Sequence, residues 1–73
     1  MATSRIEVSA TDGPLPATRE AFESIRSSGE TSVEVGLVNV DLVDDEELLE
    51  LVELEIRQIA SECGLTVSKL ERS

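Results

Sequence analysis

The stretch VDLVDDEELLELVELEIRQ, Val40 to Gln58, concentrates eight of the chain's sixteen acidic residues. Asp41, Asp44, Asp45, Glu46 and Glu47 are dense enough to suggest a divalent-cation site. A calcium loop, however, needs oxygen ligands at alternating positions around a turn-forming glycine. This run contains no glycine, and most of it falls in the first turn of a predicted helix, where carboxylates complement the positive end of the macrodipole. Capping explains these acids better than metal does, and no metal ligand is assigned. The chain has no histidine, which removes the usual general base and nitrogen ligand. Serines and Cys63 are present, but without an imidazole they cannot complete a nucleophilic triad. Paired carboxylates remain, yet no flanking segment would form an apolar pocket around them. The expectation is a protein without catalytic residues or cofactors. No enzymatic activity is expected.

The lone Cys63 cannot form an internal disulfide, so a reducing compartment and a packing role are expected. Residues 1–73 make a single small domain, and a core built from 40% apolar residues must rely on Leu, Ile, Val and Ala, because Phe22 is the only aromatic. A formal charge of −10 excludes a basic stripe for nucleic acid and disfavours anionic membranes. It suits a soluble cytoplasmic protein, a salt-adapted one, or one with a basic partner. No apolar run of signal-peptide or membrane-spanning character is visible.

The elements that would position any site follow from periodicity. RIEVSA, residues 5–10, alternates and predicts a strand with Ile6, Val8 and Ala10 inward and Arg5, Glu7 and Ser9 outward. TDGPLP is a turn. A helix is expected from about Ala17 to Ser28, with Ala21, Phe22 and Ile25 as its apolar stripe and Gly29 at its end. TSVEVGLVNVDLV reads as the second strand, with Val33, Val35 and Leu37 inward. Asp44 is the expected cap of a second helix, with Glu47 three residues on, and Gly64 ends it. LTVSKL makes a third strand with Leu65 and Val67 inward.

The result is β-α-β-α-β, and helical connections imply parallel strands with right-handed crossovers. Order 1-2-3 puts both helices on one face, whereas order 2-1-3 would need strands apolar on both faces. Arg5, Glu7, Ser9, Glu34, Thr66 and Ser68 all interrupt the apolar set. The expected fold is therefore a two-layer α/β domain, a three-stranded parallel sheet in order 1-2-3 with both helices on one side.

ATDGPLPATRE, Ala10 to Glu20, and the acidic stretch itself resemble a continuous piece of the GTP-binding domain of bacterial elongation factor Tu. The likeness runs from about Ile6 to Ser61 and keeps the Thr11-to-Asp41 spacing without a gap. It implies the same strand-helix-strand-helix order. The family's guanine-reading motif, asparagine-lysine-any-aspartate, corresponds here to Val38, Asn39, Val40 and Asp41, so only the aspartate remains. No G-x-x-x-x-G-K-[ST] occurs to cradle phosphates. Asp41 is thus a vestige of a nucleotide site, and neither GTP hydrolysis nor nucleotide binding is expected. Glu7 and Glu34 stand where the family carries apolar residues, and Glu23, Ser24, Ser27 and Ser28 make the first helix more polar. Such changes suit an excerpt refitted to fold alone, so an engineered or redesigned fragment is expected; a diverged natural protein is the competing origin.

Counting 100° per residue along the second helix, Leu49, Val52, Ile56, Ile59, Ala60 and Cys63 cluster within about 50° of one direction and form the core stripe. Leu51 and Leu54 fall about 200° and 140° from Leu49, on the outer side with Glu47, Glu55 and Gln58. Two outward leucines are ordinary on a folded surface. The resemblance adds a second reading, since in the family this helix docks elongation factor Ts and the ribosomal stalk protein, at positions matching Leu48, Leu51 and Glu55. The candidate protein-binding set is Glu47, Leu48, Leu51, Leu54 and Glu55, with a weak homodimer as a further form of association.

Overall fold

A computed structural model describes residues 4–72. Alternating residues make the first strand, β1 (Arg5–Ser9), which buries Val8 and half-buries Ile6. Helix α1 (Pro16–Ser27) follows a turn in which Gly13 takes a positive φ of 69°. Pro16 stands at its first position, where a missing N–H costs nothing, and the Thr18 hydroxyl accepts from the Leu15 N–H at 3.2 Å. Gly29, at φ 98°, ends it as its position predicts.

Strand β2 (Ser32–Val38) buries Val33, Val35 and Leu37 completely. It stops five residues before the apolar pattern does. Asn39 turns into the left-handed region at φ 61°, and Val40–Leu42 form a turn of 3₁₀ helix instead of further strand. Asparagine tolerates that conformation better than most residues, which is what lets the chain leave the sheet here. Val40 and Val43 still pack on the core, so their apolar character serves the loop rather than a strand.

Helix α2 (Glu46–Glu62) is capped by Asp45 and not by the expected Asp44: the Asp45 carboxylate accepts from the Glu47 N–H at 2.9 Å. Gly64, at φ 85°, turns the chain into β3 (Thr66–Arg72). The sheet is parallel throughout, in the order β1-β2-β3, and both helices cover one face. This is the βαβαβ layout that the alternating polar residues dictate.

β3 departs from simple alternation. Val67 pairs with Val33 but Lys69 pairs with Glu34, leaving Ser68 as an extra residue in a bulge whose hydroxyl donates to the Val33 carbonyl at 3.3 Å. The bulge resets the phase, so Leu70 rather than Lys69 continues the inward row.

The core is one cluster: Val8, Ala10, Phe22, Val33, Val35, Leu37, Leu49, Ile56, Ala60 and Leu65. Phe22 is its largest member and is fully buried. Cys63 is a free thiol, partly buried at the end of α2 and packed on this cluster. The opposite face of the sheet is polar and carries its own network. Arg5 lies across Gly36, so close that a β-carbon there would stand 2.5 Å from its guanidinium, and reaches Glu71 at 3.1 Å and Glu34 at 3.9 Å. Lys69 meets Glu71 at 3.6 Å.

Ion pairs tie the remaining ends. Arg72, at the end of β3, donates to Glu53 at 2.7 Å and to both oxygens of Glu46 at 2.8 and 3.0 Å, which raises its pKa further. Arg19 joins α1 to Glu62 on α2. Near the N-terminus, Glu30 accepts from the Ser4 N–H at 3.0 Å and the Ser4 hydroxyl at 2.6 Å.

These bonds predict part of the acid response. The Ser4 donors hold Glu30 below the usual glutamate range, and the Arg5 guanidinium does the same for Glu71. A depressed folded-state pKa contributes stability that is present above the unfolded value and lost as pH falls through the folded one. The stability advantage of the parent over Glu30→Gln should therefore be constant above about pH 5.5 and shrink steadily towards about pH 3. Urea unfolding of both proteins across that range checks it; a difference that does not change with pH refutes the assignment.

Candidate functional site

Helix α2 presents different surfaces to its surroundings, set by the angle of each residue around its axis. Leu49, Ile56 and Ala60 point into the core, with Val52, Ile59 and Cys63 partly buried beside them. Glu46 and Glu53 flank this stripe towards β3 and hold Arg72. On the other flank stand Leu48, Leu51, Val52 and Glu55, spaced i, i+3, i+4 and i+7 and hence continuous along the helix.

The second flank does not simply face water. Together with the β1–α1 loop it walls a cleft of about 300 Å³, lined by Ala10, Thr11, Asp12, Gly13, Pro14 and Val43 opposite these four helix residues. Three of the five residues singled out for protein binding, Leu48, Leu51 and Glu55, meet in this cleft. Leu48 and Leu51 are half exposed, at 52% and 49%. Leu54 is 61% exposed and, with Glu47, lies outside the lining of the cleft, on the outer side of α2 beside Leu51.

The loop forms the opposite wall because it is pinned to the strand ends. Gly13 N–H donates to the Ser9 carbonyl at 2.9 Å, which folds the loop back at the carboxyl end of β1. The Asn39 amide donates to the Ser9 hydroxyl at 3.3 Å, and that hydroxyl shares a 2.8 Å hydrogen bond with Thr11. The cleft therefore opens at the carboxyl ends of β1 and β2, where parallel α/β folds place their ligand sites. The sequence marks TDGPLP as a turn, but nothing in it signals that Asp12 and Pro14 line a cleft with α2.

The remaining acidic residues disperse. Asp41 is exposed on the 3₁₀ turn and does not line the cleft. Asp45 caps α2 and Glu46 is engaged by Arg72, so the run of carboxylates is taken up by the helix itself. Among the described residues, no group of three or more His, Cys, Asp or Glu side chains is arranged to hold a metal ion. The cleft is walled by apolar groups with Asp12 and Glu55 as its carboxylates, and its volume sits at the low end of small-molecule sites. The single lysine, Lys69, is on the open sheet face beside Glu71.

The fold and this surface define a small parallel α/β domain with a shallow acidic cleft at its strand ends. No protein-family model matches the chain. Among the described residues, no helix is long and apolar enough to cross a membrane.

Proposed function

We propose that the chain is a stand-alone βαβαβ miniature, an elongation-factor-like fragment engineered or redesigned to fold without the rest of its domain, with neither catalytic activity nor nucleotide binding. The observation that carries this reading is the outer face of the sheet. Arg5, Glu34, Lys69 and Glu71 form a connected ion-pair network there, with Arg5 laid over Gly36, so the face is finished against water and needs no second helical layer. Asp12 and Glu55 in the cleft would repel phosphates, and Asp41 stands apart from it. Titrating fluorescent GDP or GTP with the protein should show no saturable binding. A Kd below about 100 μM, or roughly −5.5 kcal/mol, overturns the reading.

A second reading has its own support, the convergence of Leu48, Leu51 and Glu55 on one cleft. In it, the outer flank of α2 is a docking face for a translation-factor partner, elongation factor Ts or the ribosomal stalk protein. One helix flank buries less than the roughly 800 Å² per partner of a standard interface, so affinity is modest. Chemical-shift titration with either partner should perturb Leu48, Leu51 and Glu55, and Leu51→Lys should abolish the effect. Unperturbed spectra remove this reading and leave the first intact.

A further inference from the structure

Among the described residues the sheet has two unpaired edges, β1 and β3, and they are built differently. Along β3 the Ser68 bulge breaks the ladder, and Lys69 and Arg72 add charge, features that keep an edge from pairing with another strand. β1 is regular over Arg5–Ser9, with no register shift against β2 and no proline. Its pairing fixes which backbone groups look outward. Glu34 N–H donates to the Ser4 carbonyl at 2.9 Å and Ala10 N–H to the Val38 carbonyl at 2.8 Å. In a parallel ladder the direction alternates by residue, so Ile6 and Val8 also turn to β2, while Arg5, Glu7 and Ser9 turn their N–H and C=O groups outward. Of these, the Ser9 carbonyl is taken by Gly13 N–H.

Beside this edge runs a groove of about 210 Å³, between β1 and the side of α1. Ile6 and Val8 form one wall, and Leu15, Ala17, Thr18 and Ala21 the other. Ala17 and Ala21 lie one turn apart, and their small side chains leave the space open. On the open face of the sheet, Glu7 is exposed and makes no ion pair among the described residues.

We propose that the β1 edge and this groove bind an extended peptide alternating apolar and cationic side chains. Its backbone pairs with the outward groups of Arg5, Glu7 and Ser9. Its apolar side chains descend between β1 and the Ala17–Ala21 side of α1, and a cationic side chain stands on the open face against Glu7. A net charge of −10 draws such a segment in, whereas it repels a second copy of the chain. The site is separate from the α2 cleft and independent of any partner there.

The test uses the whole chain, isotopically labelled, and a capped heptapeptide alternating lysine and valine, at physiological ionic strength. Amide exchange should slow about tenfold or more at Arg5, Glu7 and Ser9 and stay unchanged at Ile6 and Val8. Shifts should extend to Ala17 and Ala21. Ala21→Leu, which fills the groove from a half-buried helix position, and Glu7→Lys should each weaken binding about fivefold or more; Ala17→Leu, at an exposed position, serves if Ala21→Leu fails to fold. A peptide of the same composition with its lysines in one block should bind at least about tenfold more weakly, because it cannot alternate across the sheet. Equal binding of the block peptide shows bulk charge attraction and overturns the proposal. So does protection at β3, a response confined to Leu48, Leu51 and Glu55, or slowed exchange at Arg5, Glu7 and Ser9 without peptide in a species of twice the mass.

Discussion

Leu49→Lys should leave the chain unfolded at room temperature, while Leu51→Lys should fold with a melting temperature within a few degrees of the parent. The two residues are neighbours on one helix, but Leu49 is 6% exposed and Leu51 is 49% exposed. An ammonium group at Leu49 would have to enter a cluster of Val, Leu, Ile and Phe side chains without an anionic partner, at a cost of several kcal/mol. A single core in a domain of this size rarely supplies more than about 3–5 kcal/mol, so one such change exhausts it. At Leu51 the lysine can extend from the rim of the cleft into water, leaving no cavity behind. Circular dichroism and thermal melts distinguish the two. A cooperative melt for Leu49→Lys, or a collapsed fold for Leu51→Lys, means that the face of α2 is assigned wrongly.

Phe22→Ala should be equally damaging for a different reason. Phe22 is the one aromatic side chain and the largest fully buried group, and it is the only buried residue that α1 contributes. Truncating it removes about 3–5 kcal/mol through lost burial and an unfilled cavity, most or all of the available stability. Phe22→Leu keeps much of the volume and should cost only about 1.5 kcal/mol, retaining the fold. Urea titration of the two variants gives the comparison. If Phe22→Ala still melts cooperatively near the parent temperature, α1 is held mainly by other contacts, such as Arg19 with Glu62.

Much of this architecture is legible in the sequence because few alternatives satisfy it. Glu7, Ser9, Glu34 and Thr66 cannot all be covered, so one sheet face must meet water, and right-handed crossovers then place both helices opposite. The angular count on α2 separates Leu49 and Ile56 from Leu51 and Leu54 for the same reason. Local devices are harder to read. Asn39 ends β2 by a single left-handed residue while Val40, Leu42 and Val43 prolong the alternating pattern. Asp44 and Asp45 are equally good caps by type, and only backbone geometry selects Asp45. Asp12 and Pro14 line the cleft opposite α2 through a loop fold held by the Gly13–Ser9 hydrogen bond, a tertiary placement that leaves no periodic trace. Arg72 reads as a charged end residue, although it spans Glu46 and Glu53 across 26 and 19 positions of sequence.

The bulge in β3 also changes what a loss of chain length would do. In a regular strand, deleting one residue turns every later side chain to the opposite face, which normally destroys the domain. Ser68 is the residue that the ladder skips: Val67 already faces Val33, and Lys69 and Leu70 already face Glu34 and Val35. Deleting it would leave those three pairings in phase, with Leu70 still directed to the core. Ser68 is therefore a position where the reading frame of the sheet tolerates a missing codon. What it would lose is the irregularity of that edge, so the shortened chain should fold yet stick to itself along β3.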